Sequence, residues 1–136
     1  MANWLVKSEP GAWSWDQQAK VATTHWDGVR NHQASNNLKA MRIGECAFFY
    51  HSGEAREIVG IVEVVREYYP DPSDPSGRFG MVDVKAVQSL PKPVPLSAVK
   101  ADPRLQDIAL VRQSRLSVMP IDDEAWQILC AMGGLQ

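Results

Sequence analysis

Between Glu57 and Tyr69 the chain carries Ile58, Val59, Ile61, Val62, Val64 and Val65, all β-branched. Such side chains lose rotamer freedom in a helix and pack well on a pleated surface, so the run reads as a strand. A strand with one wet face alternates apolar and polar residues; this one is too apolar for that, and a single buried face does not account for it. Gly60 marks the place where so long a strand is expected to bend. The preceding run, Glu45 to Ser52, is also β-rich and joins it through the hairpin signal Ser52-Gly53-Glu54. Met81 to Leu90 supplies a third strand, with Val82, Val84 and Ala86 alternating against Asp83 and Lys85.

The flanking segments are short. Trp4-Leu5-Val6, stopped by Pro10-Gly11, reads as a central strand, and Ser14 with Gln17 forms a capping-box pattern that starts a helix running to about Val21. After the Asp27-Gly28 turn, Ala34, Leu38 and Met41 fall at helical spacing, predicting a helix over Asn31 to Met41 with Gly44 as its stop. Pro91, Pro93 and Pro95 are expected to forbid ladder pairing. Ser97 is expected to cap one helical turn, and Arg104 to Leu110 to form another. Ser114 to Met119 reads as a last strand stopped by Pro120. Asp122 then caps a helix that places Trp126, Leu129 and Cys130 on one face and closes at Gly133. Strands dominate and do not alternate with long helices. The expected class is therefore α+β: a small curved, barrel-like sheet of about five strands with short peripheral helices.

No repeat or long linker divides the sequence, so one domain over residues 1–136 is the simplest organisation. A formal charge of −2 argues against coating nucleic acid by bulk charge, though not against a local basic groove. Two segments are locally basic: Arg30, Lys39 and Arg42 face only Asp27, and Arg104, Arg112 and Arg115 face only Asp107. No apolar run reaches the ~18 residues of a membrane span, and the first residues lack a secretion pattern, so a cytoplasmic or nuclear protein is expected rather than a secreted one. Cys46 and Cys130 lie far apart in apolar stretches and read as small core residues.

Trp4, Trp13, Trp15 and Trp26 crowd the first quarter of the chain. Trp26 has few apolar neighbours in sequence: it either walls a cavity, where an indole offers a flat face to a base, or packs under the following helix. Lys7 and Ser8 emerge at the end of the first strand and Tyr50, His51 and Ser52 at the end of another, where ligand-binding groups are often displayed. Catalytic signatures are missing. His25, His32 and His51 have no metal-ligand spacing, and no phosphate loop or nucleophile elbow is present. Asp71 and Asp74 lack the pattern of a calcium loop and read as a solvated loop. Neither a metal nor a cofactor is implied.

Five segments, taken in order, closely resemble the EVE domain family: Trp4 to Pro10, Trp26 to Ala34, Phe48 to Ser52, Ile58 to Val65 and Arg112 to Val118. The resemblance implies a PUA-like fold related to the YTH readers of methylated adenine. It also implies a pocket for a modified base in DNA or RNA, with methylated or oxidised cytosine as the candidates. Carried onto this chain, it places Lys7 and Ser8 at the first strand end, Trp26 as a wall and Asn31 near it. Tyr50, His51, Ser52, Arg115 and Ser117 complete the lining. In the reader that follows, a base stacks on Trp26 while the Ser8 hydroxyl and the backbone of Gly28, Val29, Arg30 and Asn31 bond its polar edge. Lys7, Arg30 and Arg115 hold phosphates. The chain departs from the family pattern at Ser35, where many relatives have arginine, and at Phe79, where tryptophan is frequent. Two rivals remain: an enzyme acting on a modified nucleobase or nucleotide through Glu9, His51 or Asp27, and a protein-interaction module with a vestigial pocket.

Overall fold

The computed structural model describes residues 1–135. From the N-terminus the chain forms β1 (Asn3–Ser8), α1 (Trp15–Val21), β2 (Thr23–Trp26), α2 (His32–Ala40), β3 (Cys46–His51), β4 (Glu57–Pro70), β5 (Gly80–Pro95) and α3 (Leu96–Ala101). A 3₁₀ turn at Pro103–Leu105, α4 (Ala109–Arg112), β6 (Val118–Ile121) and α5 (Asp123–Met132) follow. The strands make one six-stranded sheet in the order β2-β5-β4-β3-β1-β6. Only β1 and β3 run parallel; every other neighbouring pair is antiparallel. The sheet curves but does not close, so the α+β expectation holds while the barrel description is loose. No helix among the described residues is long and apolar enough to cross a membrane.

The apolar run of β4 is covered on both faces. Consecutive residues of the adjacent β3 point to opposite sides, and both find aromatic partners. Phe48 stacks on Trp126 of α5 at 4.0 Å, and Phe49 meets Trp15 of α1 edge-on at 5.3 Å. Gly60 of β4 lies opposite Phe49, and the Trp15 indole rests on it: a Cβ there would fall 2.4 Å from Trp15 Cζ2. Ser14 caps α1 with the full reciprocal box. His51 Nε2 accepts the Trp15 N–H at 2.9 Å, satisfying an orphan donor of the first turn. At the other end of the core, the buried Glu45 carboxylate accepts the Trp4 Nε1–H at 3.0 Å and the backbone N–H groups of Ala2 and Arg42.

Four expectations need correction. β2 was not anticipated, because four residues between turn signals carry too short a pattern to register. β5 runs on through Pro91 and Pro93, and Val94 and Pro95 pair with Ile58 and Glu57. The ladder skips Pro91 and Pro93 instead of stopping: the register jumps from Ser89 opposite Gly60 to Val94 opposite Ile58. Pro95, not Ser97, precedes α3, and it makes no side-chain cap. The last strand is β6, with Pro120 inside it. The Lys7 N–H donates to Ser117 O, so by alternation Pro120, opposite Trp4, turns its nitrogen outward from β1, where no hydrogen is needed.

Candidate nucleic-acid interface

A hollow of about 560 Å³ opens beside the free edge of β2 and the end of β1. That falls within the ~300–1,000 Å³ of small-molecule sites. Lys7, Ser8, Trp26, Gly28, Val29, Arg30, Asn31 and Ser117 line it, joined by Glu9, Ala12, Trp13, Thr24, His25 and Asp27. Trp26 is both buried and part of the lining. It is only 7% exposed and sits edge-on against Phe49 at 5.4 Å, yet it borders the open space. The half-buried Trp13 is the second indole of the lining. Its Nε1–H donates to Gln18 Oε1 at 2.9 Å, and fully buried Gln18 in turn donates to Ala22 O. Sequence reasoning noted Trp13 but passed it over; the tryptophan density around it was the available signal.

The rim is held by a residue read as part of a solvated loop. Asp71 is 2% exposed, and both of its oxygens are used. Oδ1 accepts Ser73 N–H at 2.8 Å and Ser73 Oγ–H at 2.6 Å; Oδ2 accepts Gly28 N–H at 2.9 Å and Arg30 Nη1–H at 3.1 Å. Burial alone raises the Asp71 carboxyl, but hydrogen bonds from Ser73, Gly28 and Arg30 outweigh it and hold the group down at about 2. The loop of residues 70–79 is thus a brace for the Gly28–Arg30 segment. Gly28 takes φ +78°, a conformation that favours glycine. Phe79 is not in the lining; its ring packs near His32 and the Arg30 guanidinium. Ser35 is buried on α2 with its hydroxyl 3.3 Å from the Tyr68 hydroxyl, so it faces the core.

Several polar groups of the lining are already employed. The Ser8 hydroxyl donates to Trp13 O, which leaves it as an acceptor. Asn31 Oδ1 caps α2 by accepting Ala34 N–H, which leaves its Nδ2 donors. Lys7 Nζ donates to Ser114 O at 3.0 Å over the Tyr50 ring, and burial lowers its pKa. His25 lies opposite Asp83, and its Nδ1 is 2.9 Å from the Asp83 carboxylate and 2.9 Å from the Tyr69 hydroxyl. Since the Tyr69 hydroxyl gives its one proton to Asp83, Nδ1 carries the hydrogen and Nε2 is the free position. Burial and Asp83 push the Tyr69 hydroxyl up to about 12.

Tyr50, His51 and Ser52 stay outside the hollow. They belong to β3 and its exit, in register with Lys7 and Ser8 of β1 but one strand further back. Tyr50 is buried beneath Lys7, and the Ser52 N–H donates to Ser8 O. His51 is committed to α1; burial lowers its pKa against the opposing pull of Glu57, Asp16 and Glu9. Arg115 lines a separate cleft of about 360 Å³ that shares Asn31 with the hollow.

An open, curved α+β sheet with a two-indole hollow at its edge defines a PUA-like module. The chain belongs to the EVE domain family, whose model matches residues 2–132. Thymocyte nuclear protein 1 from Homo sapiens is 33% identical to it, over 96% of this chain and 73% of that protein. The solved structure of Rpa0253 from Rhodopseudomonas palustris is 57% identical, with a TM-score of 0.92 over 98% of this chain and 94% of that one. Human THYN1 protein in complex with 5-methylcytosine containing DNA superposes with a TM-score of 0.89 at 32% identity, over 100% and 99% of the two chains. A yeast YTH domain, from Zygosaccharomyces rouxii MRB1, shares the fold at TM-score 0.60 and 14% identity, over 99% and 88%.

Proposed function

We propose that this chain is a non-catalytic module, working as one unit in the cytoplasm or nucleus, that reads a modified base in nucleic acid. The observation that carries the reading is the hollow itself: its size suits a nucleoside, and Trp13, Trp26 and the backbone from Gly28 to Asn31 border it. A base entering it stacks on indole, worth ~1–3 kcal/mol. The Ser8 hydroxyl, Asn31 Nδ2 and the backbone of Gly28, Val29 and Arg30 meet its polar edge, with Ser117 beside them. Tyr50, His51 and Ser52 support β1 from behind. Methylated or oxidised cytosine is the favoured base, supported by the relative's complex with 5-methylcytosine DNA. Discrimination for one methyl group against an apolar wall is ~1–3 kcal/mol. Of the residues the acid–base alternative names, Glu9 and Asp27 line the hollow, whereas the His51 imidazole lies behind β1 and is bonded to α1.

The test is retention of oligonucleotides carrying different modified bases, by the native chain and by Trp13→Ala. Half-buried Trp13 can be removed with less damage than Trp26, whose loss from the core costs ~3–5 kcal/mol of stability. Affinity for the preferred modified oligonucleotide should fall ~5–150-fold in Trp13→Ala, the equivalent of one lost stacking contact. Equal retention by the two proteins, with both shown folded, sinks the reading.

A further inference from the structure

The charges around the hollow are unevenly compensated. Of the cations in its lining, Arg30 is paired with buried Asp71 at 3.1 Å, and Glu9 and Asp27 bring two carboxylates to the same space. The adjoining cleft differs: its walls carry Arg112 and Arg115 and no carboxylate. Arg112 is engaged with Asp107 at 2.6 Å, whereas exposed Arg115 has no ion pair among the described residues. Two residues join the spaces. Asn31 lines both, and Lys7, in the hollow, bonds through Nζ to the carbonyl of Ser114 in the cleft wall at 3.0 Å, which leaves two of its three donors free. A cation at the junction is therefore followed by a second, uncompensated cation in a groove free of acids.

We infer that this cleft is a phosphate track for the nucleotides on one flank of the base seated in the hollow, with Lys7 holding the nearest phosphate and Arg115 the next. The other flank gains nothing, because the remaining rim offers a compensated guanidinium and carboxylates. This rests on the hollow being a base pocket and adds to it a direction for the strand.

The experiment uses three probes built on whichever of 5-methyl-, 5-hydroxymethyl- and 5-formyldeoxycytidine quenches tryptophan fluorescence at the lowest concentration. These are the free nucleoside, a trinucleotide with that base at its 5′ end and one with it at its 3′ end. Only one trinucleotide should bind more tightly than the nucleoside. Two phosphate contacts on a single strand give a salt slope of about −1.4, so its affinity should drop ~7-fold between 50 and 200 mM salt. In Arg115→Ala, and in Arg115→Gln as a milder variant, that drop should shrink to ~3-fold with nucleoside binding unchanged. Equal gains from both extensions, or an unchanged salt slope in both variants, overturn the track while leaving the base pocket standing. Failure of every nucleoside to bind at millimolar concentration overturns the pocket and the track together.

Discussion

Replacing Asp71 by asparagine tests the brace behind the hollow. In the native chain each carboxylate oxygen receives two donors, Ser73 N–H and Oγ–H on Oδ1 and Gly28 N–H and Arg30 Nη1–H on Oδ2. An amide has one acceptor oxygen, so whichever way it is turned, two donors face an NH2 group. If the Ser73 pair is kept, the Gly28 bond to a charged acceptor is lost, worth ~1.5–3 kcal/mol. The Arg30 side chain is 40% exposed, so it can turn to water, and its share is only ~0–1 kcal/mol. The sum, ~1.5–4 kcal/mol, corresponds to ~5–14 °C in melting temperature for a chain of this size. The carboxyl is held at about 2, below its ordinary 3.8, so its stabilisation is complete above the ordinary value and disappears as pH falls through about 2. Urea unfolding of the two proteins at several pH values should show the gap widest near neutrality and closing between pH ~4 and ~2. A neutral-pH gap under ~0.5 kcal/mol, or one that does not narrow on acidification, refutes the brace.

Two further substitutions probe the core that positions the site. Gly60→Ala drives a methyl group to 2.4 Å from Trp15 Cζ2, and the indole is pinned by its Nε1–H bond to Ser89 Oγ at 2.8 Å. A loss of ~1–3 kcal/mol is expected in denaturant unfolding, and an unchanged midpoint contradicts the close approach. Glu45→Gln weakens three bonds to a charged acceptor, including that from Trp4 Nε1, and should cost ~1–3 kcal/mol at neutral pH, read by the same method.

What could be read in the residues divides along physical lines. Local rules worked where one residue settles the matter. Ser14 with Gln17 and Asp122 cap the helices that they announce, and the β-branched run of β4 is a strand beside a β3 whose two faces carry aromatic pairs. They failed where a neighbour decides. Pro120 terminates a strand only if its missing hydrogen faces a partner, and here it faces outward. Asp71 and Asp74 among prolines look like surface residues, and nothing local reveals that Gly28 and Arg30 wait for Asp71 more than forty positions away along the chain. Lys7, Ser8, Trp26 and Asn31, which the family resemblance groups, line one hollow. The resemblance could not separate β1 from β3 as lining and support, because in a parallel pair the two strand ends stand side by side, and only depth distinguishes them.

The hollow exists because the sheet stops at β2. Ala86 donates to Ala22, so alternation along the ladder turns the His25 N–H and C=O away from β5 and toward the unoccupied side. One more strand there would satisfy them and fill the recess at once. The chain is thereby barred from the ordinary remedy for a bare margin, and whatever settles in the recess also shields that margin from docking with a second copy.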